Sequence, residues 1–142
     1  MTNQLLLSLH AFASFFMCGL IWVIQVVHYP TFVFVERDRY AEFQRLHEMR
    51  ISLIVIPVML LELVSGALIA LRQESSLWTI NLVLILLVWG STFAIQSPIH
   101  GKLEKGFDER LVKRLLRSNW VRTVLWTIHS LIVFLLLNDA FS

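Results

Sequence analysis

The chain has a single cysteine, Cys18, so no intrachain disulfide can form and no redox compartment can be read from it. Charge is scarce: Asp, Glu, Lys and Arg make up 15% of its 142 residues, against about 25% in ordinary soluble domains. There is no HExxH, no pair of histidines four residues apart and no CxxCH, which removes the helix-borne zinc motif and covalent haem attachment. No repeat, low-complexity stretch or linker divides the chain, so residues 1-142 are expected to form one domain. The first apolar run lacks a basic segment before it, and no small-residue cleavage site follows His28-Tyr29-Pro30. It is therefore expected to be retained rather than removed as a signal peptide.

What the chain does have is apolar length. Hydrophobic residues make up 57% of it, and four stretches reach the roughly 20 apolar residues that cross a bilayer: Leu5 to Val27, Ile51 to Leu71, Leu77 to Ile95 and Val121 to Leu137. The expected fold is an all-α integral membrane protein, a bundle of four transmembrane helices with an amphipathic interfacial extension before the fourth. Eleven of the twelve Lys and Arg residues lie in, or for Arg122 just past the edge of, the two loops that four crossings put on one side, and only Arg72 lies in the other loop. This bias predicts that the basic loops face the cytoplasm of a cell inner or plasma membrane, with both termini outside. The partner implied is the lipid bilayer and not nucleic acid, despite a net charge of +2. Homo-oligomerisation is left open, as is a transport role.

Local signals refine the helices. Pro30 predicts the end of the first one, with Thr31 to Val35 lying against the bundle at the interface. The spacing Tyr40, Phe43, His47, Arg50, Ile51, Ile54 predicts a second helix that starts before the membrane, with His47 and Arg50 on its inner stripe. Pro57 should bend that helix, and Ser65-Gly66 offers a surface for close approach of a neighbour. Pro98 should end or bend the third helix. Asp108 to Arg117 runs from acids to bases as the helix dipole favours, and is expected to continue into a stripe of Asn119, Arg122, Thr123, Trp126 and Ser130.

This topology brings Gln25, His28, His47, Arg50, Gln96, His100, Asn119 and Arg122 to one end of the bundle, where ionisable groups are costly and are functional candidates by default. Arginine snorkelling and interfacial anchoring by Trp, Tyr and His are the structural alternative. The functional expectation is a pocket for a planar apolar, aromatic small molecule. His28 or His100 would act as base, Arg122 and Asn119 as oxyanion donors, and Trp22, Gln25, Trp89, Gln96 and Trp126 as walls. His28, His47 and His100 are also the candidate ligands for a metal, and with His10 and His129 for a b-type haem. The cofactor stays open between none, haem and a His-bound metal. Glu62, near mid-membrane, needs a partner or a proton, with His129 or Asn81 as candidates for the former. It is either a packing lock, or a proton relay or cation site.

Ser97-Pro98-Ile99-His100-Gly101-Lys102-Leu103 followed by Asn119-Trp120-Val121-Arg122-Thr123 resembles the anthrone-oxygenase-like family of small four-helix membrane proteins. That family carries a Pro-x-Asn-x-x-Leu type segment after the third helix and Asn-x-x-Arg-Thr at the start of the fourth. Asn119, Arg122 and Thr123 match, whereas His100 stands where the family often has Asn. The first half, with His28-Tyr29-Pro30 and Ile56-Pro57 before Gly66, is more loosely similar to the membrane four-helix protoporphyrinogen oxidases, which hold a b-type haem. The Lys of that family near the third helix start is replaced here by the region of Thr79 and Asn81. Both resemblances imply a membrane oxidoreductase acting on flat, apolar ring systems.

Overall fold

The computed structural model describes residues 3-73 and 75-140, without the side chains of residues 139 and 140. Those residues are almost entirely helical, with no strand among them. Helix α1 is Asn3–Val23, α2 Tyr40–Arg72, α3 Ser76–Ser91, α4 Ser97–Leu103 and α5 Glu109–Ala140. Four helical stretches are long and apolar enough to cross a membrane: Asn3–Phe34, Arg37–Arg72, Ser76–Leu103 and Glu109–Asn138. The chain has the architecture of an integral membrane four-helix bundle.

Helices α1, α2, α3 and α5 stand in a ring, each packed on its neighbours in chain order and α5 returning to α1. The diagonal pairs, α1 with α3 and α2 with α5, do not touch through their backbones among the described residues. A space is thereby left along the bundle axis for side chains. Leu53, Phe12, Ile80 and Leu131 point outward and are well exposed, as lipid-facing residues must be when the apolar solvent is outside. The amphipathic start of α5 and its crossing are one continuous helix. Asp108 Oδ1 caps it by accepting from the backbone N–H groups of Arg110 (2.8 Å) and Leu111 (3.1 Å).

Pro30 acts differently from the sequence expectation, and Pro98 is accommodated in the same way. Pro30 does not end the first helix, which continues through a π turn at Ile24–His28 and a tighter 3-10 turn at Tyr29–Phe34 before the chain becomes extended at Val35. Pro98 likewise follows a π turn, Thr92–Gln96, and sits in the first turn of α4. Proline lacks the N–H for the regular bond four residues back, and its ring crowds that carbonyl. A widened turn just before it relieves both problems. Each proline then occupies a first turn, where its missing donor costs nothing. The two π turns bring His28-Tyr29 and Gln96 to the same end of the bundle. Helix α2 runs through Pro57 without a break.

The inner stripe of α2 keeps much of the predicted one: Tyr40 is fully buried, Phe43 and Ile51 pack against the core and His47 is half-buried, but Arg50 and Ile54 are exposed. Gln44, fully buried one turn after Tyr40, adds a polar residue to the inward face that apolar spacing does not mark. Further along, the expected close approach at Ser65-Gly66 is present: a Cβ on Gly66 would lie 2.7 Å from Ile85 Cδ1 and 3.0 Å from His10 Cε1.

Candidate functional site

The stripe on α5 converges inward. Asn119, Arg122, Thr123, Trp126 and Ser130 are all buried, Arg122 with only 7% of its surface exposed. Asn119 is held from α1, donating to Gln25 Oε1 at 2.8 Å, while Gln25 donates in turn to the Leu116 carbonyl at 3.2 Å. The Asn119 amide oxygen then accepts from both Nε and Nη2 of Arg122. This fork fixes the guanidinium plane. Its remaining contacts are longer, Nη2 to the Tyr29 hydroxyl and Nη1 to Thr92 Oγ1, both 3.4 Å, and its Cζ stands 5.9 Å from the centre of the Trp126 ring.

Every protein partner of Arg122 is neutral. Among the described residues no carboxylate comes within ion-pairing distance of it. A buried cation without a counter-charge is costly, so the site is electrostatically unfinished and favours an oxygen that carries or develops negative charge.

Tyr29 links Arg122 to His100, whose Nε2 lies 3.0 Å from the phenol oxygen. On the other face of the ring, Gln44 Nε2 lies 2.7 Å from His100 Nδ1 and also donates to Glu48 Oε1 at 2.9 Å. With the amide placed so, Nδ1 accepts and Nε2 carries the proton. Tyr29 then accepts from both His100 and Arg122, which leaves its own proton for a group in the cavity.

A cavity of about 290 Å³ opens beside these groups. Its polar end is formed by Tyr29, Glu48, Gln96, His100, Arg122 and Thr92, and its walls by Met17, Ile21, Val55, Met59, Trp89 and Trp126. Ile56 and Phe93, which also border it, are exposed on the outer surface, so the cavity communicates with the lipid face between α2 and the end of α3. The Trp89 indole N–H is buried without an acceptor among the described residues and is a spare donor beside this space.

Of the residues expected from the sequence, Trp89, Gln96, His100, Arg122 and Trp126 line the cavity. Gln25 and Asn119 are buried behind Arg122 and support it. Trp22 stands on the outer surface, 41% exposed, bonded to Thr127 and edge-on to Trp120. His28 and His47 are joined by a 2.9 Å hydrogen bond and border a shallow outer groove with Arg50. Thr92 shares the helix face of Trp89, Phe93 and Gln96, as its spacing implies, whereas Tyr29, Gln44 and Glu48 were not singled out as site residues. Tyr29 looked like an interfacial anchor, and Gln44 and Glu48, one turn apart, were hidden by the apolar rhythm beside them.

The three histidines are neighbours, with the rings of His47 and His100 5.8 Å apart, but His28 and His47 are bonded to each other while both ring nitrogens of His100 are taken by Tyr29 and Gln44. No group of three or more His, Cys, Asp or Glu among the described residues is arranged to hold a metal ion. A haem held by two imidazoles needs them facing each other across a flat macrocycle. His10 and His129 instead meet edge to face with centroids 5.5 Å apart, and Ser65, Asn81 and Ser14 occupy three of their four ring nitrogens. These residues do not fit a haem between them.

Deeper in the bundle, α1, α2, α3 and α5 each contribute to a polar layer of His10, Ser14, Glu62, Ser65, Asn81 and His129. His129 Nε2 lies between Ser14 Oγ (2.8 Å) and Glu62 Oε1 (3.0 Å). Of the two partners expected for Glu62, His129 is the one in contact, and Asn81 bonds to His10 and the His129 carbonyl. This layer closes the cavity below, through Trp126.

No family model, no curated protein and no solved structure matches the chain.

Proposed function

We propose that the protein is a membrane oxidoreductase that takes a planar aromatic molecule with an acidic C–H next to a carbonyl from the bilayer and promotes its oxidation. The observation that carries this reading is the buried, carboxylate-free guanidinium of Arg122 at the polar end of an otherwise apolar cavity open to lipid. The volume is at the lower end of the roughly 300–1,000 Å³ of ligand pockets and suits two or three fused rings. Trp89 and Trp126 offer flat faces for those rings.

The carbonyl oxygen would accept from Arg122 and Tyr29. Glu48, whose carboxylate borders the same cavity, would take the C–H proton, with His100 orienting Tyr29. The negative charge then develops on the oxygen, where preorganised donors in a water-poor site are worth most. The electron-rich anion is the species that dioxygen oxidises: a ring CH2 and O2 become a ring carbonyl and water. The chemistry asks for no resident cofactor. The Asn119-x-x-Arg122-Thr123 resemblance to the anthrone-oxygenase-like family supports the same reading, with the basic loops cytoplasmic and both termini outside. One chain's own helices enclose the cavity, so a homo-oligomer is not needed to form it.

The test is oxygen uptake by the protein in liposomes supplied with a fused-ring aromatic ketone. Catalysed uptake that falls at least tenfold in Glu48→Gln, with ligand still quenching tryptophan fluorescence, supports the oxidoreductase. Binding without uptake would make the protein a membrane carrier of such molecules, and absence of both would remove the proposal.

A further inference from the structure

The basic face of α5 is a second feature of this end of the bundle, separate from the cavity. Arg110, Arg114 and Arg117 recur at four and three residues, so they lie on one stripe of the helix, and Lys113 and Ser118 flank them along a shallow groove. All four cations are exposed. Lys113 is engaged with Glu109 at 2.6 Å, but the three arginine side chains make no ion pair among the described residues.

The position of the stripe identifies what covers it. Continuing along the same helix, Trp120, Val121, Val124, Ile128 and Leu131 are apolar and about half exposed, which is the lipid-facing surface of the crossing. Arg117 is one turn above Val121, and Arg114 and Arg110 follow over about 10 Å of helix. The headgroup layer on each side of the hydrocarbon is roughly 5 to 8 Å deep. A guanidinium ladder directly above an apolar strip, with Trp120 at the boundary, matches an amphiphile with two acyl chains below and an anionic group above. Guanidinium is the group best suited to phosphate oxygens, because it presents paired donors in one plane.

We infer that the Arg110–Arg114–Arg117 face of α5 is a binding site for an anionic phospholipid, whose phosphate engages Arg114 and Arg117 and whose chains lie along Val121, Val124 and Ile128. The site orders the lipid at the helix that carries Asn119 and Arg122, and it does not depend on the activity proposed for the cavity.

The experiment is native mass spectrometry of the detergent-solubilised full chain titrated with phosphatidylglycerol, phosphatidylcholine or inorganic phosphate. Phosphatidylglycerol should give a retained one-to-one adduct, phosphatidylcholine a much weaker one, and inorganic phosphate should not displace the lipid. Arg114→Gln/Arg117→Gln should weaken the adduct roughly thirtyfold, since each basic residue near an anionic surface contributes about a factor of five. Lys102→Gln/Lys105→Gln removes the same charge from the neighbouring turn and should change it less than threefold. Arg114→Lys/Arg117→Lys keeps the charge without the planar donors and should weaken the adduct only partly, by much less than the Gln pair, which separates lost charge from lost fold. Equal losses in the two Gln double variants, release by inorganic phosphate, or loss of lipid from the folded Lys variant would each overturn the site.

Discussion

Trp126 donates its indole N–H to Glu62 Oε2 at 3.0 Å while its ring lies beneath the guanidinium of Arg122 and forms part of the cavity wall. A mid-membrane carboxylate on α2 thus fixes an aromatic surface on α5, the helix diagonally across the bundle. The polar layer and the cavity are mechanically one unit.

This contact predicts the behaviour of Glu62 variants. Glu62→Ala removes the acceptor of the Trp126 indole N–H and the carboxyl oxygen beside His129 inside a fully buried layer, and leaving the indole donor unsatisfied costs about 1–3 kcal/mol. Glu62→Gln keeps an acceptor for the indole and should cost less. Unfolding in detergent by increasing dodecyl sulfate orders the three proteins; equal stability of Glu62→Ala and the wild type would show that the layer contributes nothing.

Gly66 gives a steric prediction. An added Cβ meets Ile85 Cδ1 closer than real contacts allow and His10 Cε1 at the tight end of the observed range, so those side chains must shift or the helices that carry them must move apart. Overpacking of this kind costs about 1–3 kcal/mol. Gly66→Ala should lower the thermal midpoint and Gly66→Val should lower it further, whereas Gly19→Ala, which has open space around it, should be silent.

Much of this was legible in the residues because lipid simplifies the pattern. Four long apolar runs fix four helices, and the α5 stripe from Asn119 to Ser130 stood out since polar residues at helical spacing in a membrane have nowhere to go but inward. The site itself was half visible. Arg122, His100, Trp89 and Trp126 were found by depth and type, but depth alone does not give rotation about a helix axis. It therefore grouped Trp22 and Arg50, which face outward, with Gln25 and His100, which do not. Gln44 and Glu48 escaped notice because the inner face of α2 turns polar at that end. The two π turns shift the helix phase after residues 24 and 92, and no regular periodicity anticipates that.

The orientation proposed from the basic loops can be checked directly. With Cys18 replaced by Ala, a cysteine at Ser75 should react with a membrane-impermeant maleimide in intact cells and one at Lys105 only after the membrane is opened. The reverse pattern would invert the bundle.

Arg122 donates two N–H groups to the single amide oxygen of Asn119, and a lysine cannot satisfy that oxygen and still present donors toward Tyr29. Arg122→Lys should therefore weaken binding of a fused-ring ketone by at least about tenfold, the equivalent of one lost charge-assisted hydrogen bond. Tryptophan quenching measures it, and undiminished affinity in a folded Arg122→Lys protein would remove Arg122 from the ligand site.

Tyr29→Phe gives the most discriminating measurement, because it deletes one oxygen and little volume. If the phenol proton binds the ligand's carbonyl, the variant loses affinity for a fused-ring ketone but not for the parent hydrocarbon of the same shape, which has no oxygen to bind. A purely structural Tyr29, needed only to bridge Arg122 and His100, would affect both ligands alike, because disturbing that bridge alters the cavity itself. The expected signature is a ketone affinity reduced about five- to tenfold with the hydrocarbon affinity unchanged, in line with one hydrogen bond of roughly 1 kcal/mol or slightly more. Equal losses for ketone and hydrocarbon would assign Tyr29 to the scaffold and leave Arg122 as the sole donor to the ligand oxygen.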